Sequence, residues 1–237
     1  MRSDGPVQRV EFILSQCEGK EVLHLGCTNW PYTEAALKNN DLLHSAIAGR
    51  SSELFGIDAD ELGLDVLRAN GFSSLYAGDL EKLDECPVDR TFDVVVAGEV
   101  IEHLNNPGLF LDGVKRFLRP DSILLLTTIN AYCAMRYALY AFKGRNGENE
   151  PVHPDHVAYY SYSTLGVLLR RYDFEIRDLL FYDLGDEHRK HLRTVVNWFN
   201  DAAVAFFPQL SDGIIAICSP SPNTENLEPS PTDVLLK

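Results

Sequence analysis

The chain has 237 residues, 45% of them hydrophobic, and a formal net charge of −14; this length suits one domain, or one domain with an elaborated insertion, because single cores rarely grow beyond roughly 250 residues. The acidic balance argues against nucleic acid as a partner, since such binding draws much of its affinity from neutralised phosphates, and no uninterrupted apolar stretch approaches the ~20 residues that span a bilayer. MRSDGPVQRV lacks the basic-then-apolar run of a secretory signal and the five cysteines (Cys17, Cys27, Cys86, Cys133, Cys218) stand singly, as in neither a disulfide framework nor a zinc ribbon, so a cytoplasmic protein with reduced, mostly buried thiols is expected.

In chain order, Val7, Val10, Phe12, Ile13 and Leu14 give an apolar face to a helix that ends near Gly19. EVLHLG (21–26) is a short apolar run followed by a turn, the pattern of a buried parallel strand. ELFGID (53–58), FSSLYAG (72–78), FDVVVAG (92–98) and SILLLTTI (122–129) repeat it, with helical patterns at 59–70 and 107–118 between the later strands. Such alternation predicts an α/β fold with a mostly parallel sheet, right-handed crossovers and a ligand crevice at the strands' carboxyl ends. After Asn130 come an aromatic stretch, a polar loop and a helical run from Ser163 to Arg171; residues 131–162 read as an inserted lid. FEIRDLLFYDL (174–184) and GIIAIC (213–218) complete the sheet, separated by a helix carrying Leu192, Val195, Val196, Phe199, Ala203 and Phe206. One domain over 1–218 is expected, and the Pro- and Ser-rich tail 219–237 is expected to be disordered.

The crevice candidates end these strands. Gly26 permits close backbone approach, in a turn expected to present free N–H groups. Asp58 can accept hydrogen bonds from both hydroxyls of a ribose, with capping of the 59–70 helix by Asp58 or Asp60 as the competing use. Asp79 can accept from an adenine amino group while Leu80 offers its amide; an ordinary loop aspartate is the plainer reading. Seven aromatic residues, Tyr132, Tyr137, Tyr140, Phe142, Tyr159, Tyr160 and Tyr162, crowd the lid, and half or more are expected to pack internally. Arg189, Lys190 and Arg193 make a local basic patch, for which a solvated helix face is the plainer account, and His44, His188 and His191 receive no role.

The stretch from Phe92 to Asn130 contains Glu99-Val100-Ile101-Glu102-His103. With Gly26, Asp58 and Asp79 ahead of it, this E-x-x-E-H motif resembles the class I S-adenosylmethionine-dependent methyltransferases, among them ubiquinone-biosynthesis O-methyltransferases and small-RNA 2′-O-methyltransferases. The resemblance covers roughly Val22 to Ile176. It implies a Rossmann-like class I sheet with an antiparallel edge strand. It also implies S-adenosylmethionine as cofactor, held by Gly26, Asp58, Asp79, Leu80 and Glu99. The chain departs from the family at the first turn, where acidic-x-Gly-x-Gly-x-Gly is usual and His24, Gly26, Thr28 and Trp30 stand here.

On a helical turn, positions i, i+3 and i+4 share a face, so Glu99, Glu102 and His103 are expected to point together. Two chemistries fit: His103 assisting deprotonation of an acceptor, or Glu99, Glu102 and His103 holding Mg²⁺ or Mn²⁺ with His153 or His156 completing the shell. The expected activity is O-methylation of a small polar acceptor, such as a sugar, glycan intermediate or secondary metabolite. RNA-terminal 2′-O-methylation and a non-catalytic binding protein on the same fold are the alternatives. The sequence sets no oligomeric state.

Overall fold

In the computed structural model, which describes residues 5–143, 155–183 and 194–221, the apolar runs form one eight-stranded sheet. Its strands are β1 (Val7–Gln8), β2 (Glu21–Leu25), β3 (Glu53–Asp58), β4 (Leu75–Ala77), β5 (Phe92–Gly98), β6 (Leu118–Ile129), β7 (Phe174–Asp183) and β8 (Gly213–Pro220). The spatial order is β1-β7-β8-β6-β5-β2-β3-β4. Every neighbouring pair is parallel except β6–β8 and β7–β8. The antiparallel character expected near the sheet's edge therefore belongs to β8, inserted between β6 and β7.

The helices are α1 (Arg9–Cys17), α2 (Thr33–Lys38), α3 (Leu43–Ala48), α4 (Glu61–Ala69), α5 (Pro107–Val114), α6 (Ala134–Lys143), α7 (Tyr162–Arg171) and α8 (Thr194–Phe206). Local chemistry marks their ends. Pro107 opens α5, where its missing N–H costs nothing. Ser161 caps α7 in a reciprocal box: its hydroxyl accepts from the Thr164 N–H at 3.2 Å, and its own N–H donates to Thr164 Oγ1 at 2.9 Å.

Strand residues alternate between two cores. Leu23, Leu25, Val95, Ala97, Leu124, Leu126, Ile214 and Ala216 pack toward α5 and α7. Val22, Val94, Val96, Leu125 and Ile215 pack toward α1 and α3. Both faces being covered explains why the strands read as continuous apolar runs, and each fully buried side chain contributes about 1.5–3 kcal/mol. All five cysteines are free and buried.

Several expectations shift. β8 continues to Pro220, because Ser219 and Pro220 pair with Glu175 and Phe174, so the first two residues of the expected tail belong to the sheet; residues 222–237 lie outside the described residues. The tyrosines of 131–162 mostly turn outward: Tyr132, Tyr137, Tyr140, Tyr159 and Tyr162 are exposed and Tyr160 is buried, while α6 buries Ala134 and Met135 instead. On α8 the buried side holds Asn200 and Val204, and Phe199 (51% exposed) and Phe206 (79%) face out. Leu192, the Val195, Val196 and Phe142 side chains, His153, the basic patch Arg189, Lys190 and Arg193, and His188 and His191 lie outside the described residues.

Candidate active site

The strand order turns at β2, which lies between β3 and β5, so a crevice opens where the chain leaves those strands. Gly26, Asp58, Asp79, Leu80 and Glu99 all follow or end β2, β3, β4 and β5, and the fold gathers them along one rim. Gly26 has φ +71°, and a Cβ there would lie 2.6 Å from Val100 Cγ2, so both backbone and packing require glycine.

The first loop is tied down more than expected. Asp58 Oδ2 accepts the Thr28 N–H at 2.8 Å and Oδ1 accepts the Asp60 N–H at 2.9 Å, so one carboxylate joins two loops. Asp60 occupies the N-cap position of α4 without a side-chain cap bond. The N–H of Gly26 donates to Ile57 O, that of Asn29 to Thr33 Oγ1 and that of Tyr32 to Asn29 O. The amides of Gly26, Thr28, Asn29 and Tyr32 are thus engaged, not free as the turn pattern suggested. Thr28 packs its methyl against α4, where a Cβ on Gly63 would lie 2.8 Å from it, and the Trp30 side chain is 60% exposed. Asp79 is an exposed loop carboxylate that accepts the Glu81 N–H at 2.9 Å, and Leu80 beside it is buried.

The E-x-x-E-H segment divides. Glu99 sits at φ +56° and the following turn, Ile101–His103, is 3-10 and not α-helical. The three residues therefore do not lie on one α-helical turn, the geometry on which the expected shared face rested. Glu99 Oε1 accepts the Tyr182 hydroxyl at 2.7 Å, Oε2 lies 3.4 Å from Arg9 Nη1, and the Glu99 N–H reaches Thr127 O at 2.9 Å. Burial, and then the Glu99 carboxylate, hold the Tyr182 hydroxyl well above its usual range, so it stays a donor.

Glu102 is fully buried. Its Oε2 accepts from Thr128 Oγ1 at 2.9 Å, Oε1 has no hydrogen-bond partner, and its backbone carbonyl accepts the Val157 N–H at 2.9 Å. Burial, reinforced by the nearby Glu99 carboxylate, pushes Glu102 up to about 7. The Val157 bond brings the segment carrying His156 against the motif, and the His103 and His156 rings meet edge to face at 4.6 Å between centroids. One ligand atom from each of Glu102, His103 and His156 lies within 4.8 Å of the others. Glu99, expected in this metal-competent set, is outside it.

Arg9, Thr128 and Tyr182 went unnoticed in the sequence. Thr127-Thr128 was the readable signal, a polar pair closing the apolar run of β6. Nothing local marked Arg9 or Tyr182. A buried pair was missed as well: His24 Nδ1 lies 3.2 Å from His44 Nδ1, with the rings stacked.

The sheet order and its strand-end loops define a class I S-adenosylmethionine-dependent methyltransferase. A family model described as a methyltransferase domain matches residues 8–179, and the chain belongs to that family. The ubiquinone biosynthesis O-methyltransferase of Hahella chejuensis is 30% identical over 129 residues, covering 52% of this chain and 49% of that protein; the chain thus spans about half the length of the curated relatives it matches. Among solved structures, a Haloferax volcanii methyltransferase in complex with the Trm112 methyltransferase activator aligns with TM-score 0.59 at 15% identity, over 91% of this chain and 90% of that one. An S-adenosylmethionine-dependent methyltransferase from Mesorhizobium loti aligns with TM-score 0.55 at 16% identity, over 89% and 95%. At these identities the structures speak for the fold. No helix among the described residues is long and apolar enough to cross a membrane.

Proposed function

We infer that the chain transfers the methyl group of S-adenosylmethionine to a hydroxyl of a small polar acceptor, such as a sugar, glycan intermediate or secondary metabolite. The observation that carries this reading is the Glu102–His103–His156 cluster beside the rim formed by Gly26, Asp58, Asp79 and Glu99. The relatives matched over about half their length are O-methyltransferases, which supports hydroxyl over amine as the acceptor.

When bound, S-adenosylmethionine supplies a sulfonium-activated methyl group, whose displacement needs an aligned nucleophile more than a powerful acid or base. Asp58 would receive the ribose hydroxyls, and Asp79 with the Leu80 amide would receive the adenine. Gly26 keeps the first loop close to the cofactor. Glu99 and Arg9 receive the ammonium and carboxylate of the aminocarboxyl end; Arg9 suits this role because its Nε is buried with no hydrogen-bond partner. His103 would take the proton of the acceptor hydroxyl as that oxygen is methylated.

A divalent cation is the second reading of the same cluster, favoured by the partnerless, buried Oε1 of Glu102. Glu102, His103 and His156 would hold Mg²⁺ or Mn²⁺, and the mixed carboxylate–imidazole set suits Mn²⁺ better. Such an ion would acidify the acceptor hydroxyl. RNA-terminal 2′-O-methylation fits the motif too, but the charge of −14 weighs against it. Salt-sensitive retardation of a short RNA in a gel would favour that alternative.

His103→Ala tests the assignment. Turnover is expected to fall at least about 100-fold, with affinity for S-adenosylhomocysteine within about twofold of wild type. A tenfold loss of that affinity contradicts the role.

A further inference from the structure

Tyr182 lies near the end of β7, two strands beyond β6, yet its hydroxyl reaches Glu99 at the end of β5. The sequence clears its path. Tyr182 pairs with Gly213 on β8, and a Cβ on that glycine would run into the phenol ring. Arg9 packs beside Gly98, where a Cβ would stand 3.7 Å from its Nη1, an ordinary contact. The Arg9 guanidinium sits 5.9 Å from the centre of the Tyr182 ring and donates to Thr127 Oγ1 at 3.5 Å. Glu99 is therefore held at both carboxylate oxygens and at its backbone N–H, in a conformation that non-glycine residues adopt only when their surroundings dictate it.

We propose that Tyr182 is a positioning residue for cofactor recognition: its buried hydroxyl fixes the Glu99 carboxylate beside Arg9, so that the two opposite charges meet the zwitterionic aminocarboxyl end of S-adenosylmethionine. This rests on the cofactor reading above and extends it to a residue that has no reason to touch the cofactor itself. A hydrogen bond to a charged group sets the scale of the effect. The phenol ring alone fills the space above Gly213, so removing only the hydroxyl separates positioning from packing.

The experiment compares two probes by calorimetry. S-adenosylhomocysteine carries the aminocarboxyl end; 5′-methylthioadenosine keeps the adenosine and the sulfur but lacks it. In Tyr182→Phe, affinity for S-adenosylhomocysteine is expected to fall about tenfold, while affinity for 5′-methylthioadenosine stays within about twofold. Equal weakening toward both probes means the hydroxyl merely supports the fold, and unchanged binding of both means it supports nothing; either result overturns the proposal. Glu99→Gln, which leaves the Tyr182 ring packed, is expected to show the same selective loss, and equal weakening toward both probes in that variant overturns the proposal even if Tyr182→Phe does not fold. The double variant is expected to lose no more than either single one, and additive losses overturn the coupling. If the wild-type protein binds neither probe, the cofactor reading itself falls and this inference with it, an outcome distinct from selective failure in the variants.

Discussion

Each carboxylate oxygen of Asp58 accepts one backbone N–H and keeps a second lone pair, so joining the two loops and receiving ribose hydroxyls are compatible uses of one side chain. Gly26 is more restricted. Its left-handed φ costs any other residue about 1–2 kcal/mol, and the Val100 methyl group occupies the space a Cβ needs. Gly26→Ala is therefore expected to lower unfolding stability by at least about 2 kcal/mol, read as an earlier urea midpoint at unchanged slope; an unshifted midpoint would mean that the loop repacks freely. That Gly26, Asp58, Asp79 and Glu99 stand at or just past strand ends was legible in the sequence, because each closes or follows an apolar run. Tyr182 was not, since it meets Glu99 across 83 residues and only the sheet order brings them together. The shared face of Glu99, Glu102 and His103 was misread for a local reason: the positive φ at Glu99 breaks the helical phase that the spacing assumes.

Among the elements, β3 and β5 match the sequence limits residue for residue, because strands buried on both faces announce themselves as unbroken apolar runs. The segment between Gly26 and Asp58 was harder. No helical pattern was read there, whereas α2 and α3 occupy it as two six-residue helices, too short for a helical period to stand out. Helix α3 nevertheless buries His44 and Ile47. On α8 helical spacing says which residues share a side, not which side is covered, and Phe199 and Phe206 face out while Asn200 and Val204 are buried. Phe206→Ser is accordingly expected to change stability by no more than about 0.5 kcal/mol in thermal or urea unfolding, where a buried phenylalanine would cost several times that.

Across the whole molecule, the His24–His44 pair couples the fold to pH. Only one proton fits between two Nδ1 atoms 3.2 Å apart, and neither Nε2 has a partner. Burial holds His44 down to about 4, and burial with His44 and Arg9 nearby holds His24 well below its usual range. Protons thus bind the unfolded chain more readily than the folded one between about pH 6.5 and 4. Stability is fully present above this window and declines as pH falls through it, by on the order of 3 kcal/mol for His44 alone. Urea midpoints measured across the window are expected to fall with pH in the wild type and to flatten in His44→Leu; equal slopes would remove the pair as the cause.

The central claim, that the rim from Gly26 to Glu99 binds S-adenosylmethionine, meets its most direct test in calorimetric titration with S-adenosylhomocysteine, run once with EDTA and once with Mn²⁺. Micromolar binding at one site per chain is the predicted result, with any dependence on Mn²⁺ reporting on Glu102, His103 and His156. Absence of binding in both conditions would contradict the account and leave a methyltransferase fold that does not use the cofactor.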